Sequence, residues 1–235
     1  FGGGVLGCEL AALAVKRGVA VTVIDPLAGP MYDKVGPIVS RRLLQLHEQN
    51  SVAFRFGCQV ADISQCPSGA YAVRLQDNSI LDVDNVIVAI GCRPATSWLT
   101  DSGVPLDNGV VCDQFCEAIS GVYAAGDVAN FYNPRFGRRM RVEHRMNATE
   151  QGIAVAENIL GGPLPFTPIP FFWTDQFDTK LQVYGMIGSE CEVSTLAGDT
   201  QSGNFLLAYS RNGLIEGVLG WNMAKGVRKA RALIG

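Results

Sequence analysis

The sequence predicts an α/β fold that closes with a small α+β unit, and three observations carry that reading. A glycine fingerprint, Gly2-x-Gly4-x-x-Gly7, leads into a helical pattern and then a β-branched run ending in Asp25. Two further apolar runs, residues 86–90 and 122–125, stop at Gly91 and at Gly126-Asp127, as strands stop at a ligand-facing crevice. Beyond a stiff linker marked by Pro163, Pro165, Pro168 and Pro170, an Asn212-Gly213 turn signal separates two more apolar runs.

In chain order, Leu6, Leu10, Leu13 and Ala14 recur at helical spacing, and Gly18 ends that helix. Residues 19–24 read as a buried parallel strand. Leu43, Leu44 and Leu46 mark a second helix. Residues 53–56, 60–63, 71–75 and 80–83 read as short strands, the last two joined by a hairpin at Asp77-Asn78-Ser79. Residues 86–90 are expected to form another buried strand, and 109–112 and 122–125 two more strands. A helix is expected over about 147–160, with Ile153, Ala156, Ile159 and Leu160 on one face. Strands at 205–210 and 214–219 and a basic helix over 225–234 complete the chain.

The 235 residues, 48% of them hydrophobic, suffice for one large core or two smaller ones. A net charge of −3 gives no global attraction to nucleic acid, and no apolar run approaches the roughly 20 residues of a membrane span. The seven cysteines form no CxxC pair, Cys112 and Cys116 being the nearest two, and read as reduced thiols of a cytosolic protein. A glycine fingerprint needs a strand feeding into it, and only Phe1 precedes this one. The sequence therefore reads as lacking its first strand.

Each fingerprint residue has a physical task. Gly2 permits a tight strand-to-helix turn, Gly4 lets backbone approach a pyrophosphate, and Gly7 lets the helix pack on the strand. The free N–H groups at the helix start, with those of Val5 and Leu6 among them, favour the diphosphate charge. Asp25, at the end of the next strand, is placed to hold ribose hydroxyls, although a capping role would also suit it. Its carboxylate repels a 2′-phosphate, and no arginine follows before Arg41, so NADH is favoured over NADPH.

Together these segments resemble the pyridine-nucleotide-dependent flavoprotein reductases, in particular the ferredoxin reductase branch that serves oxygenases and haem monooxygenases. The resemblance covers essentially the whole chain. Residues 1–9 resemble its NAD fingerprint, residues 86–94, with Gly91, the segment returning to the FAD domain, and residues 123–127 the second FAD motif. It implies that Gly126 and Asp127 bind the flavin ribityl chain. Residues 141–148, with Gln151-Gly152, resemble the segment along the isoalloxazine ring, where the backbone N–H of Arg145 would meet the pyrimidine edge. Close relatives often carry an aromatic or small apolar residue at that position. Glu143 is a candidate for the nicotinamide amide or a surface ion pair. Trp173 is a candidate for the flavin's dimethylbenzene side or a core tryptophan.

The resemblance implies a Rossmann-like NAD-binding domain at residues 1–117, the second segment of an FAD-binding domain at 118–162, and a ferredoxin-reductase-type C-terminal domain at 163–235. The expected cofactors are FAD and NADH, and no metal is expected. The expected function is cytoplasmic electron transfer from NADH through flavin to an iron–sulfur ferredoxin serving an oxygenase. Two alternatives stay open: an NADH oxidase or peroxide- or disulfide-directed reductase, and a redox-sensing flavoprotein similar to apoptosis-inducing factor. Neither His47 nor His144 lies in a His-x-x-x-x-Glu pair, which points away from a disulfide acceptor. Two basic clusters, Arg135, Arg138, Arg139, Arg141 and Arg145, and Lys225, Arg228, Lys229 and Arg231, would suit an acidic ferredoxin.

Overall fold

The computed structural model describes all residues, Phe1–Gly235. The chain opens with α1 (Val5–Lys16), β1 (Val21–Asp25), α2 (Tyr32–Gln49) and β2 (Val52–Phe56), and β1 pairs with β2 in parallel. β3 (Val60–Gln65), β4 (Tyr71–Leu75) and β5 (Ile80–Val83) follow as an antiparallel sheet.

Residues 86–90 depart from expectation. They form no regular strand, and Ile87, Val88 and Ile90 are 54%, 57% and 74% exposed. Their partner in the sheet is Phe1: Ala89 N donates to Phe1 O at 2.7 Å, and the Phe1 amine to Ile87 O. Gly2 N donates to Ile24 O at 2.9 Å, so Phe1 and Gly2 sit between β1 and this run.

β6 (Val110–Cys112), β7 (Glu117–Ile119), β8 (Val122–Tyr123), β9 (Ala129–Asn133) and β10 (Arg138–Met140) follow. β9 lies between β6 and β10, and Phe131 is fully buried there with Cys112 and Met140. The expected strand at 122–125 shrinks to the two residues of β8, paired antiparallel to β7. α3 (Arg145–Ile159) forms as expected but turns a different face inward. Its buried residues are Asn147, Gln151 and Asn158, whereas Ile153, Ile159 and the following Leu160 are exposed.

The last five strands, β11 (Phe171–Gln176), β12 (Thr179–Gly185), β13 (Glu192–Gly198), β14 (Phe205–Arg211) and β15 (Leu214–Trp221), make one antiparallel sheet in the order β11-β12-β15-β14-β13. Asn212 and Gly213 take φ of 51° and 79° between β14 and β15, the double positive φ of the primed hairpin turn their sequence predicts. One face packs Leu181, Val183, Leu207 and Leu219 against Val35, Val39 and Leu43 of α2. The other packs Leu206, Ala208 and Val218 against Val227 and Ala230 of α4 (Ala224–Ala230).

A kink in α2 binds it to this sheet. Gly36 turns to φ 74°, and Pro37 has no N–H to give the Asp33 carbonyl. Ser189 N supplies that bond at 3.3 Å, and the Tyr209 hydroxyl donates to Val35 O at 2.7 Å. At the far end of α2, fully buried His47 meets Gln176 of β11, with Nε2 2.8 Å from Oε1. The Gln176 amide donates to Thr174 Oγ1 and Met31 Sδ, so its oxygen faces the ring and Nε2 carries the proton. Nδ1 is buried without a partner.

Burial holds the His47 pKa below its usual value, and the Gln176 bond only partly opposes this. The unfolded chain therefore binds a proton near pH 6.5 that the folded chain refuses, and stability rises with pH through that window. The unfolding free energy read from urea titrations is expected to fall between about pH 7.5 and pH 5.5, by at most about 1.4 kcal/mol from this residue, because pH 5.5 lies about one unit below the unfolded pKa. His47→Gln should flatten that slope. An unchanged slope in the variant would remove His47 from this role.

Candidate functional site

Both helices that open on the crevice between β1, residues 86–91 and α3 begin without a side-chain cap. Their first N–H groups therefore have no intrahelical acceptor. At α1 the glycines divide the labour. Gly2 takes φ 95°, and a Cβ there would stand 2.2 Å from Ala89 O. A Cβ on Gly7 would stand 1.8 Å from Gly2 O, so the helix can approach only at glycine. Gly4 differs: it takes φ −73°, and a Cβ would meet nothing within 4 Å. The space over Gly4 is open beside the free N–H groups at the start of α1, an arrangement suited to an anion.

Asp25 is 7% exposed, and both its oxygens already hold backbone N–H groups, Gly3 at 2.6 Å and Leu27 at 2.7 Å. It thus locks the fingerprint turn to the end of β1. A carboxylate has about four lone-pair sites, so two remain for ribose hydroxyls.

From Gly2 a run of contacts leads to Asp127. Gly2 abuts Ala89, and two residues beyond Ile90 the Cys92 thiol lies against Glu143, which pushes the thiol's pKa up. Glu143 pairs with Arg141 at 2.5 Å, and the same Arg141 Nη1 donates to Asp127 O at 3.1 Å. Burial alone would raise the Glu143 carboxyl, but Cys92, Arg141 and Lys34 outweigh it, and the net direction is down. Gly126, at φ 81°, lies 3.4 Å (ideal Cβ) from Ala148 in the first turn of α3. Asp127 is exposed, and its carboxylate accepts no hydrogen bond from the protein. Contacts thus link the segment beside Gly2 to the backbone carbonyl of Asp127.

Residues 1–152 match the family described as pyridine nucleotide-disulphide oxidoreductase, and residues 171–235 match the reductase C-terminal family. The chain belongs to the pyridine nucleotide-disulphide oxidoreductases. It is 36% identical over 237 residues to the 5,5'-dehydrodivanillate O-demethylase ferredoxin reductase subunit of Sphingobium sp., covering 99% of this chain and 57% of that one. A solved ferredoxin reductase from Rhodopseudomonas palustris superposes with a TM-score of 0.91 at 30% identity, over 98% of this chain and 57% of the other. The covalent putidaredoxin reductase–putidaredoxin complex gives 0.91 at 28% identity, over 99% and 56%. The chain thus spans a little over half the length of the relatives it matches.

In this pyridine nucleotide-disulphide oxidoreductase, Gly2, Gly4, Val5, Leu6, Gly7 and Asp25 lie together at the start of α1, with Gly91 two residues past the Ala89 that Gly2 abuts, and Gly126, Asp127, Glu143 and Arg145 lie around the start of α3. Arg145 is the first residue of α3, which puts its backbone N–H among the uncapped ones. Trp173 is 45% exposed and stacks on Phe171, on the face of β11 away from His144. Phe172, which sequence reasoning passed over, meets the His144 ring at 5.2 Å.

Cys112 and Cys116 are buried, and burial pushes their thiols up to about 12 and about 11, which keeps both protonated. The first basic cluster is largely engaged. Arg138 makes a bidentate pair with Glu216, Arg139 donates to Cys112 O, and Arg141 bonds Glu143. Lys225, Arg228 and Lys229 are exposed and form no ion pair. No helix is long and apolar enough to cross a membrane.

Two alanine variants separate packing from binding. Gly7→Ala should destabilise the protein by about 2 kcal/mol or more through overpacking. Gly4→Ala should cost about 1 kcal/mol or less as an N-cap change, yet weaken dinucleotide binding about tenfold. Thermal melts and NADH titrations of the two variants check this, and equal behaviour would refute the division.

Proposed function

We propose that this chain is the NAD-binding and carrier-facing portion of a cytoplasmic FAD-dependent NADH–ferredoxin reductase serving an oxygenase. The observation that carries the reading is a pair of uncapped helix starts, that of α1 beside Asp25 at the end of β1 and that of α3 beside the Gly126-Asp127 turn. The domain division we propose is residues 1–117 for NAD, 118–162 for the second FAD segment, and 163–235 for the C-terminal unit. Seven unpaired cysteines suit a reducing compartment.

Bound together, NADH and FAD would supply hydride transfer and then single-electron delivery. The residues position and tune. The start of α1 and Gly4 hold the NADH diphosphate, and Asp25 accepts from its ribose while repelling a 2′-phosphate. Asp127 accepts from the ribityl chain, and Gly126 lets the backbone pass close to it. The N–H of Arg145 faces the pyrimidine edge, where a helix start stabilises negative charge. Glu143, oriented by Arg141, is set for the nicotinamide amide. Trp173 sits half-exposed at the edge of the C-terminal sheet, suited to shield the ring from water.

Structural likeness to a reductase solved in complex with putidaredoxin, together with the ferredoxin reductase names of its relatives, supports an iron–sulfur ferredoxin as acceptor. The unpaired cations of α4 offer the attraction that an acidic carrier needs.

In the full-length protein, NADH should rapidly reduce a [2Fe–2S] ferredoxin. Oxygen consumption without a carrier, or a long-lived charge-transfer complex with slow turnover, would replace this reading by an oxidase or a sensor. Lys225→Glu combined with Lys229→Glu should raise the ferredoxin KM about tenfold and flatten its salt dependence, with NADH–ferricyanide activity unchanged. A ferredoxin KM unaffected by the double change would place docking elsewhere.

A further inference from the structure

The inward stripe of α3 is polar, and its bonds converge on the turn that carries Asp127. Gly126 N donates to Gln151 Oε1 at 2.8 Å, and Gln151 is fully buried. Asn147 Nδ2 reaches the same oxygen at 3.4 Å and Val142 O at 3.4 Å. Gln151 Nε2 donates to Cys116 Sγ at 3.3 Å, and Asn158 Nδ2 to Phe115 O at 2.9 Å. These side chains do what a sheet ladder does elsewhere, because β8 stops at Tyr123 and leaves residues 124–127 outside any strand. Gly126 is in the left-handed region; its carbonyl is held by Ala129 N at 2.9 Å, and its buried N–H has Gln151 as sole acceptor.

We infer that Gln151, braced by Asn147, is a positioning residue for flavin binding: its side-chain oxygen fixes the Gly126 peptide and so aims the Asp127 carboxylate at the ligand that the start of α3 also meets. The inference rests on the proposed FAD site. Gln151 itself touches no ligand, being enclosed between α3 and the segment from Cys116 to Gly126. Its effect runs through one peptide plane. Removing the amide leaves the Gly126 N–H buried without an acceptor, and the turn must rotate to find another.

A double-mutant cycle in the full-length protein tests this, with FAD affinity of the deflavinated enzyme as the readout. Gln151→Met, which keeps the side-chain length and removes the acceptor, should weaken FAD binding about tenfold, as should Asp127→Ala. If Gln151 acts through Asp127, the double variant should bind FAD no more weakly than Asp127→Ala alone. Multiplied losses would overturn the inference and make Gln151 merely structural. Should Gln151→Met fail to fold, Cys116→Ala takes its place, because it removes the sulfur that Gln151 Nε2 meets and leaves the acceptor for Gly126 in place. Its FAD affinity should stay within about threefold of wild type, and a loss equal to that of Asp127→Ala would overturn the inference. Wild-type protein that takes up no FAD would instead remove the flavin site on which the inference rests.

Discussion

The starts of α1 and α3 are tied to one another through β11. Phe172 packs against the cluster that holds Cys8 of α1 with Met31 and Val35. The same ring meets His144, the N-cap residue just before α3. One edge strand therefore sets the spacing between the diphosphate cradle and the first turn of α3. The kink of α2 adds a second tie, because the carbonyls that Gly36 and Pro37 disturb are recovered by Ser189 and Tyr209 of the C-terminal sheet. That sheet, remote in sequence from the fingerprint, is a structural partner of it.

Electrostatics in the crevice follow from this arrangement. The unpaired N–H groups of α1 and α3 present two regions of partial positive charge. Lys34 adds a full charge near Glu143 and His144, holding the first pKa down and helping burial to lower the second. The carboxylates stand at the rim and on the strand ends, where hydroxyls rather than phosphates would be met.

The sequence announced the parts of the site that depend on backbone shape. Gly2, Gly7 and Gly126 occupy positions where a side chain would clash or a positive φ is required, and glycine spacing reports such needs directly. The Asn212-Gly213 hairpin was legible for the same reason. What stayed hidden depends on partners distant in the chain. Residues 86–90 have the composition of a buried strand, but burial is conferred by neighbours that composition does not name, and here Ile87, Val88 and Ile90 are exposed. The arginines from Arg135 to Arg145 form a block in sequence, yet Glu216, Cys112 O and Glu143 draw three of them inward. In α3, apolar periodicity pointed to Ile153, Ile159 and Leu160, while Asn147, Gln151 and Asn158 are the residues inside. No periodicity of hydrophobic residues can reveal a stripe chosen for hydrogen bonding.

That inversion has a physical logic. Apolar contact is non-directional, so a helix packed by leucines alone can slide or rotate slightly at little cost. A hydrogen bond fails beyond a few tenths of an ångström or a few tens of degrees, and a buried donor left without its acceptor is penalised heavily. The cores of this protein need only density, and they are built of Val, Leu and Phe. The turn at Gly126 must point a carboxylate in one direction from a segment that has no ladder to hold it. Directional bonds from a rigid helix meet that requirement, and Gln151, with acceptor and donor on one amide, reaches both Gly126 and Cys116 from a single position.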